Sequence, residues 1–115
     1  MDRYINIVES RKTESGFKRS SLVVFEDDVQ KFTSFLERAM NKIRCREAID
    51  DGNLVVGDGR RSYRICLPHR GKPALQLTEK REDATGTYRE SIIVPVSSFD
   101  VFRKSLSKAL DVINR

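Results

Sequence analysis

The chain has 115 residues, enough for one modest hydrophobic core shared along its length and too few for two independent ones. With 22 Lys+Arg against 17 Asp+Glu it carries a formal charge of +5 and a pI near 9.5, a balance that leans toward a polyanionic partner such as nucleic acid. No apolar run approaches the roughly 18–20 residues of a membrane span, and the start, MDRYINIVES, lacks the apolar stretch of a secretory leader. These features predict a soluble intracellular protein with no membrane partner, cytoplasmic, or nuclear if the source is eukaryotic. Cys45 and Cys66 are the only cysteines and lack CxxC spacing, which argues against a disulfide framework or zinc site and for a reducing compartment.

In Tyr4–Glu9 the apolar period of two predicts a strand, with Ile5 and Ile7 on one face and Tyr4, Asn6 and Val8 on the other. The polar stretch Lys12-Thr13-Glu14-Ser15-Gly16 predicts a hairpin connection, followed by a second strand, Lys18–Phe25, with Leu22 and Val24 inward. Asp27 and Asp28 are suited to cap a helix, where Glu26 and both aspartates also meet the favourable end of the helix dipole. Val29, Phe32, Leu36, Ala39, Met40 and Ile43 then recur at helical spacing as one apolar stripe, predicted to pack on the sheet.

Asp51-Gly52-Asn53 and Gly57-Asp58-Gly59 are turn signals around the short strand Leu54-Val55-Val56. Tyr63, Ile65 and Leu67 alternate with Ser62, Arg64 and Cys66 in a further strand, closed by the turn Pro68-His69-Arg70-Gly71-Lys72-Pro73. Next, Ala74–Glu79 alternates with Leu75 and Leu77 inward and Ala74, Gln76 and Thr78 outward. Glu82-Asp83-Ala84-Thr85-Gly86 repeats the hairpin link, Tyr88–Val96 the strand and Ser97-Ser98 the cap. Phe99, Phe102, Leu106, Ala109, Leu110 and Ile113 then repeat the helical stripe.

The chain therefore contains itself twice. A displacement of 70 positions lays Ile5–Ile43 over Leu75–Ile113 without a gap, with identities that include Glu9/Glu79, Arg19/Arg89, Val24/Val94, Phe32/Phe102 and Leu36/Leu106. Residues 1–46 form repeat one and residues 47–115 repeat two. The second copy is ββββα, whereas the first is shortened to ββα. Two explanations stand: a longer parent chain, or a naturally short repeat whose exposed edge another subunit covers.

Arg3-Tyr4-Ile5-Asn6-Ile7-Val8-Glu9 resembles a characteristic strand of the PUR family of purine-rich-element binding proteins, running basic, aromatic, aliphatic, polar, aliphatic, small, Glu. Thr87-Tyr88-Arg89-Glu90-Ser91-Ile92-Ile93-Val94-Pro95 is similar to the strand that precedes the helix in one family repeat. The resemblance covers nearly the whole chain. It implies an α+β, Whirly-like fold of tandem, intertwined PUR-type repeats, with antiparallel curved sheets and helices packed on one face. It also implies a homodimer that binds single-stranded DNA or RNA, prefers purine-rich GGN-type sequence and separates short duplexes, acting in transcription or RNA regulation. In the family an aromatic residue on the third strand stacks on a base. Tyr4 holds that position in the first copy and Ala74 in the second, and the family's Lys-Gly-Arg turn becomes Arg70-Gly71-Lys72 followed by Pro73.

A sequence-tolerant single-strand binder needs cations that track phosphates and flat side chains on which bases stack. Arg60, Arg61, Arg64, Arg70, Lys72, Lys80 and Arg81 crowd one segment, and the outward face of a neighbouring strand carries Tyr4 and Asn6. Gln76, the repeat-equivalent of Asn6, has an amide suited to base edges. The candidate nucleic-acid-binding set is thus Arg3, Tyr4, Asn6, Arg61, Arg64, Arg70, Lys72, Gln76 and Lys80. Arg19 and Arg89 either contact phosphate or pair with Glu9 and Glu79 across the hairpins.

His69 is the single histidine, so neither a histidine triad nor a multi-histidine metal site can form. Cys66 has no neighbouring general base, and no GxxxxGK[ST] or GxGxxG segment exists. No enzyme, metal, cofactor or small-molecule substrate is expected. The alternative to nucleic-acid binding is a dimerisation or scaffold module for protein assembly, its basic face incidental.

Overall fold

The computed structural model describes residues 3–47, 52–56, 59–67 and 73–113. Strands β1 (Tyr4–Thr13) and β2 (Gly16–Phe25) form a hairpin, and a single 3-10 turn (Glu26–Asp28) leads into helix α1 (Val29–Arg44). Strands β3 (Asn53–Val56), β4 (Arg61–Cys66), β5 (Ala74–Asp83) and β6 (Gly86–Pro95) follow, then a second 3-10 turn (Val96–Ser98) and α2 (Phe99–Ile113). The class is α+β. All pairing is antiparallel, in a two-stranded sheet β1-β2 and a four-stranded sheet β3-β4-β5-β6. Each strand, 3-10 turn and helix start of the first copy recurs 70 residues later in the second.

Both hairpins run further than the hydrophobic alternation predicts. Thr13 pairs with Gly16 and Asp83 with Gly86, so the links shrink to Glu14-Ser15 and Ala84-Thr85. Gly16 at φ 130° and Gly86 at φ 142° adopt backbone conformations that side-chain-bearing residues rarely take, which closes these short turns. The outer ends of the strands are polar because no second layer covers them, so the ladder continues where the apolar pattern stops.

The expected aspartate cap is not made. Asp28 has helical φ/ψ (−106°, −5°) and no side-chain capping bond: the 3-10 turn runs straight into the helix and leaves it without the extended backbone from which a cap reaches the helix N–H groups. Ala74, expected outward, is buried: the Val96 N–H bonds the Pro73 carbonyl at 3.1 Å and holds the strand start against the chain leaving β6. The expected turns at Asp51, at Gly57-Asp58 and at 68–72 lie outside the described residues.

One apolar cluster draws on both copies. Helix α1 buries Val29, Phe32, Phe35, Leu36, Ala39 and Met40, and α2 buries Phe99, Leu106 and Ile113. The helices cross over: α1 packs on β2 and β5, α2 on β1 and β6. The sheets are joined through their backbone edges, whose polar groups must find partners once buried. The Val23 carbonyl of β2 accepts from the Tyr63 hydroxyl and from Arg61 Nη1 (3.2 Å) of β4. At the repeat-equivalent place on β6, the Ile93 N–H donates to Glu9 Oε2 at 2.7 Å. Among the described residues no helix is long and apolar enough to cross a membrane.

Candidate nucleic-acid interface

Because Ile5, Leu22 and Val24 point into the core, strand alternation turns Tyr4, Asn6, Ser10 and Lys12 of β1 and Phe17 and Arg19 of β2 to the opposite, solvent-facing side. No outward-facing position of this hairpin carries a carboxylate. Tyr4 is 58% exposed and meets Phe25 edge-on, with ring centroids 6.4 Å apart. At the other end Phe17 is 77% exposed, lies opposite Lys12 and precedes Lys18 and Arg19. Phe17 was not among the expected contacts. Its signal was a large aromatic inside a polar, basic hairpin end, where no core could claim it.

A second surface lies on the four-stranded sheet. Tyr63, Ile65, Leu75 and Leu77 face inward, so Arg64, Gln76 and Lys80 share the outer face. Arg64 stands opposite Thr78, Gln76 opposite Cys66, and Lys80 between Ser62 and Arg89. Lys80 Nζ contacts Glu82 Oε1 at 3.3 Å, an exposed pair of little energetic weight. The candidates are thus divided: Tyr4 and Asn6 stand on the two-stranded sheet, Arg64, Gln76 and Lys80 on the four-stranded one.

Two other candidates are already engaged with other parts of the chain. Arg3 Nη1 donates to the Ile113 carbonyl at 2.7 Å and to Val112 at 3.4 Å, meeting the negative end of the α2 dipole. Arg61 was expected in the nucleic-acid-binding set, but it shares the inward parity of Tyr63 and Ile65, and its side chain is only 16% exposed. Its guanidinium pairs with Glu79 at 3.4 Å and lies 4.4 Å from the Phe25 ring centroid, a structural cation rather than a surface one. Arg70 and Lys72 lie outside the described residues.

Register also redirects the conserved-in-repeat arginines. Arg89 lies opposite Lys80 while Glu79 faces Glu90, so Arg89 does not pair with Glu79 across the hairpin; Arg19 lies opposite Ser10. Burial pushes the Glu79 carboxyl above its ordinary range, with Arg61, Arg81 and the Val23 amide acting against the rise. Burial likewise pushes the Tyr63 hydroxyl up to about 12. The exposed Asp83 is held below its usual range by the Thr85 hydroxyl and N–H, at 2.6 and 2.7 Å, which shapes the β5–β6 turn.

Cys45 and Cys66 are free thiols, and among the described residues no three His, Cys, Asp or Glu side chains gather as a metal site. No protein-family model matches the chain, and no curated protein matches it significantly.

Proposed function

We propose that the chain binds single-stranded DNA or RNA, with the strand laid along the outer face of the β1–β2 hairpin. One observation carries this reading: a carboxylate-free face with an exposed aromatic at each end, Tyr4 and Phe17, and the cations Lys12 and Arg19 on it. The eight residue steps from Tyr4 to Lys12, which is paired with Phe17, span about 26 Å of strand. Tyr4 and Phe17 stack bases, Asn6 hydrogen-bonds base edges, and Lys12 and Arg19 meet phosphates. On the second sheet Arg64 and Lys80 add phosphate contacts, and Gln76 adds an amide for base edges.

The resemblance to the PUR family supports a purine-rich GGN-type preference, a homodimer, and a part in transcription or RNA regulation and strand separation. The chemistry is binding, not catalysis. Fluorescence anisotropy of purine-rich strands, their pyrimidine complements and the duplex, each across a salt series, tests it. Tightest binding to the purine strand, weakening steeply with salt, is expected. Tyr4→Ala and Phe17→Ala each remove about 1–3 kcal/mol of affinity, and Lys12→Gln lowers the salt slope by about 0.7. A folded sample that binds none of the three would move the function to protein assembly.

A further inference from the structure

The two repeats differ beside their first strand. β5 has β6 on one edge and β4 on the other, whereas β1, among the described residues, pairs with β2 alone. β4 sets Arg61, Tyr63 and Ile65 opposite Arg81, Glu79 and Leu77. Tyr63 packs edge-on against Phe32 of α1 at 5.0 Å and donates to the Val23 carbonyl, and Arg61 reaches Glu79.

Each recipient recurs 70 residues away in the other copy: Ile7 for Leu77, Glu9 for Glu79, Phe102 for Phe32, Ile93 for Val23. These four residues come together in a groove of about 410 Å³ between β1 and α2, with Val101 and Ala109 on its helix side. A hollow of about 560 Å³ that shares Ile5, Asn6 and Ala109 continues it toward Arg3 and Val112. Val101, at 69% exposed, and Val112 are apolar side chains left in solvent along α2.

We propose that this groove is the docking site for a β-strand of a second polypeptide, running antiparallel to β1 and carrying a basic, an aromatic and an aliphatic residue at alternate positions. The register of β4 on β5, carried back 70 places, sets the aliphatic residue opposite Ile7, the aromatic opposite Glu9 and the basic residue opposite Arg11. The aromatic ring then lies against Phe102 with its polar edge toward the Ile93 carbonyl. The cation meets the Glu9 carboxylate, the complementarity that Arg61 and Glu79 show at 3.4 Å. Main-chain bonds to the β1 edge supply affinity, and the alternating side chains supply specificity. A second copy of this chain is a poor donor. Arg61-Ser62-Tyr63-Arg64-Ile65 is its one segment with this pattern, and Tyr63 is fully buried in its own core.

The probe is a synthetic peptide of residues 52–67 of this chain with Cys66→Ser, titrated into the whole protein and followed by NMR and amide hydrogen exchange. Saturable binding that slows exchange of β1 amides is expected, weakened about tenfold or more by Val101→Arg in the protein or Tyr63→Ala in the peptide. Fusing the peptide ahead of residue 1 through a flexible linker raises its effective concentration to about millimolar. No added protection of β1 even in the fusion overturns the proposal. So does binding that maps to β5, or binding indifferent to both substitutions. A concentration-dependent dimer that protects β1, is dissolved by Val101→Arg and excludes the peptide would also overturn it, by making the occupant a second copy.

Discussion

Phe32 and Phe102 occupy the same place in the two repeats, yet Phe32 is 1% exposed and Phe102 only half-buried. The same contrast separates Ala39 from Ala109 and Met40 from Leu110. The apolar stripes are nearly interchangeable as sequence. What differs is the covering layer: β4 lays Tyr63 over α1, while α2 faces the open groove beside β1. Burial of an amphipathic helix is therefore a property of its neighbours, and equal stripes contribute unequally to stability.

The largest effect follows from that inequality. Phe32→Ala is expected to cost about 3–5 kcal/mol in urea unfolding, and Phe102→Ala about 1–2 kcal/mol, in proportion to the smaller area it removes from water. Equal costs would mean that the groove is closed in solution. Tyr63→Phe keeps the ring and deletes its bond to the Val23 carbonyl, which Arg61 still serves; about 1 kcal/mol should be lost.

A third test uses pH. The Glu79 carboxyl is raised above its unfolded value of 4.5, chiefly by burial. Protons are then bound more tightly in the folded state, so its contribution to stability is full below the unfolded value and is lost as pH rises through the folded one. Glu79→Gln should flatten that segment of the stability-versus-pH curve; a profile unchanged by the substitution would contradict the buried placement. Val101→Arg, on the open side, should change unfolding stability by no more than about 0.5 kcal/mol. A larger loss would show Val101 already covered.

Much of the candidate site was legible because strand parity is local. Tyr4, Asn6 and Arg64 are exposed on the faces that alternation assigns them. Arg61 was not legible as a core residue. Its partners, Val23 and Glu79, are distant in sequence, and a cation in a basic segment reads as surface until a buried carboxylate is brought opposite it. Phe17 escaped because apolar alternation ends before it, while the hydrogen-bonded ladder does not.

By itself the sequence determined the periods, the two glycine-closed hairpin turns and the internal repeat, since each depends on residues a few places apart or on direct comparison of two segments. Tertiary structure alone decided which of two equivalent helices is sealed and which arginine is buried. Those outcomes depend on contacts between β2, β4 and β6 and on two helices that each close over strands of both copies. No local pattern records which of those surfaces will meet.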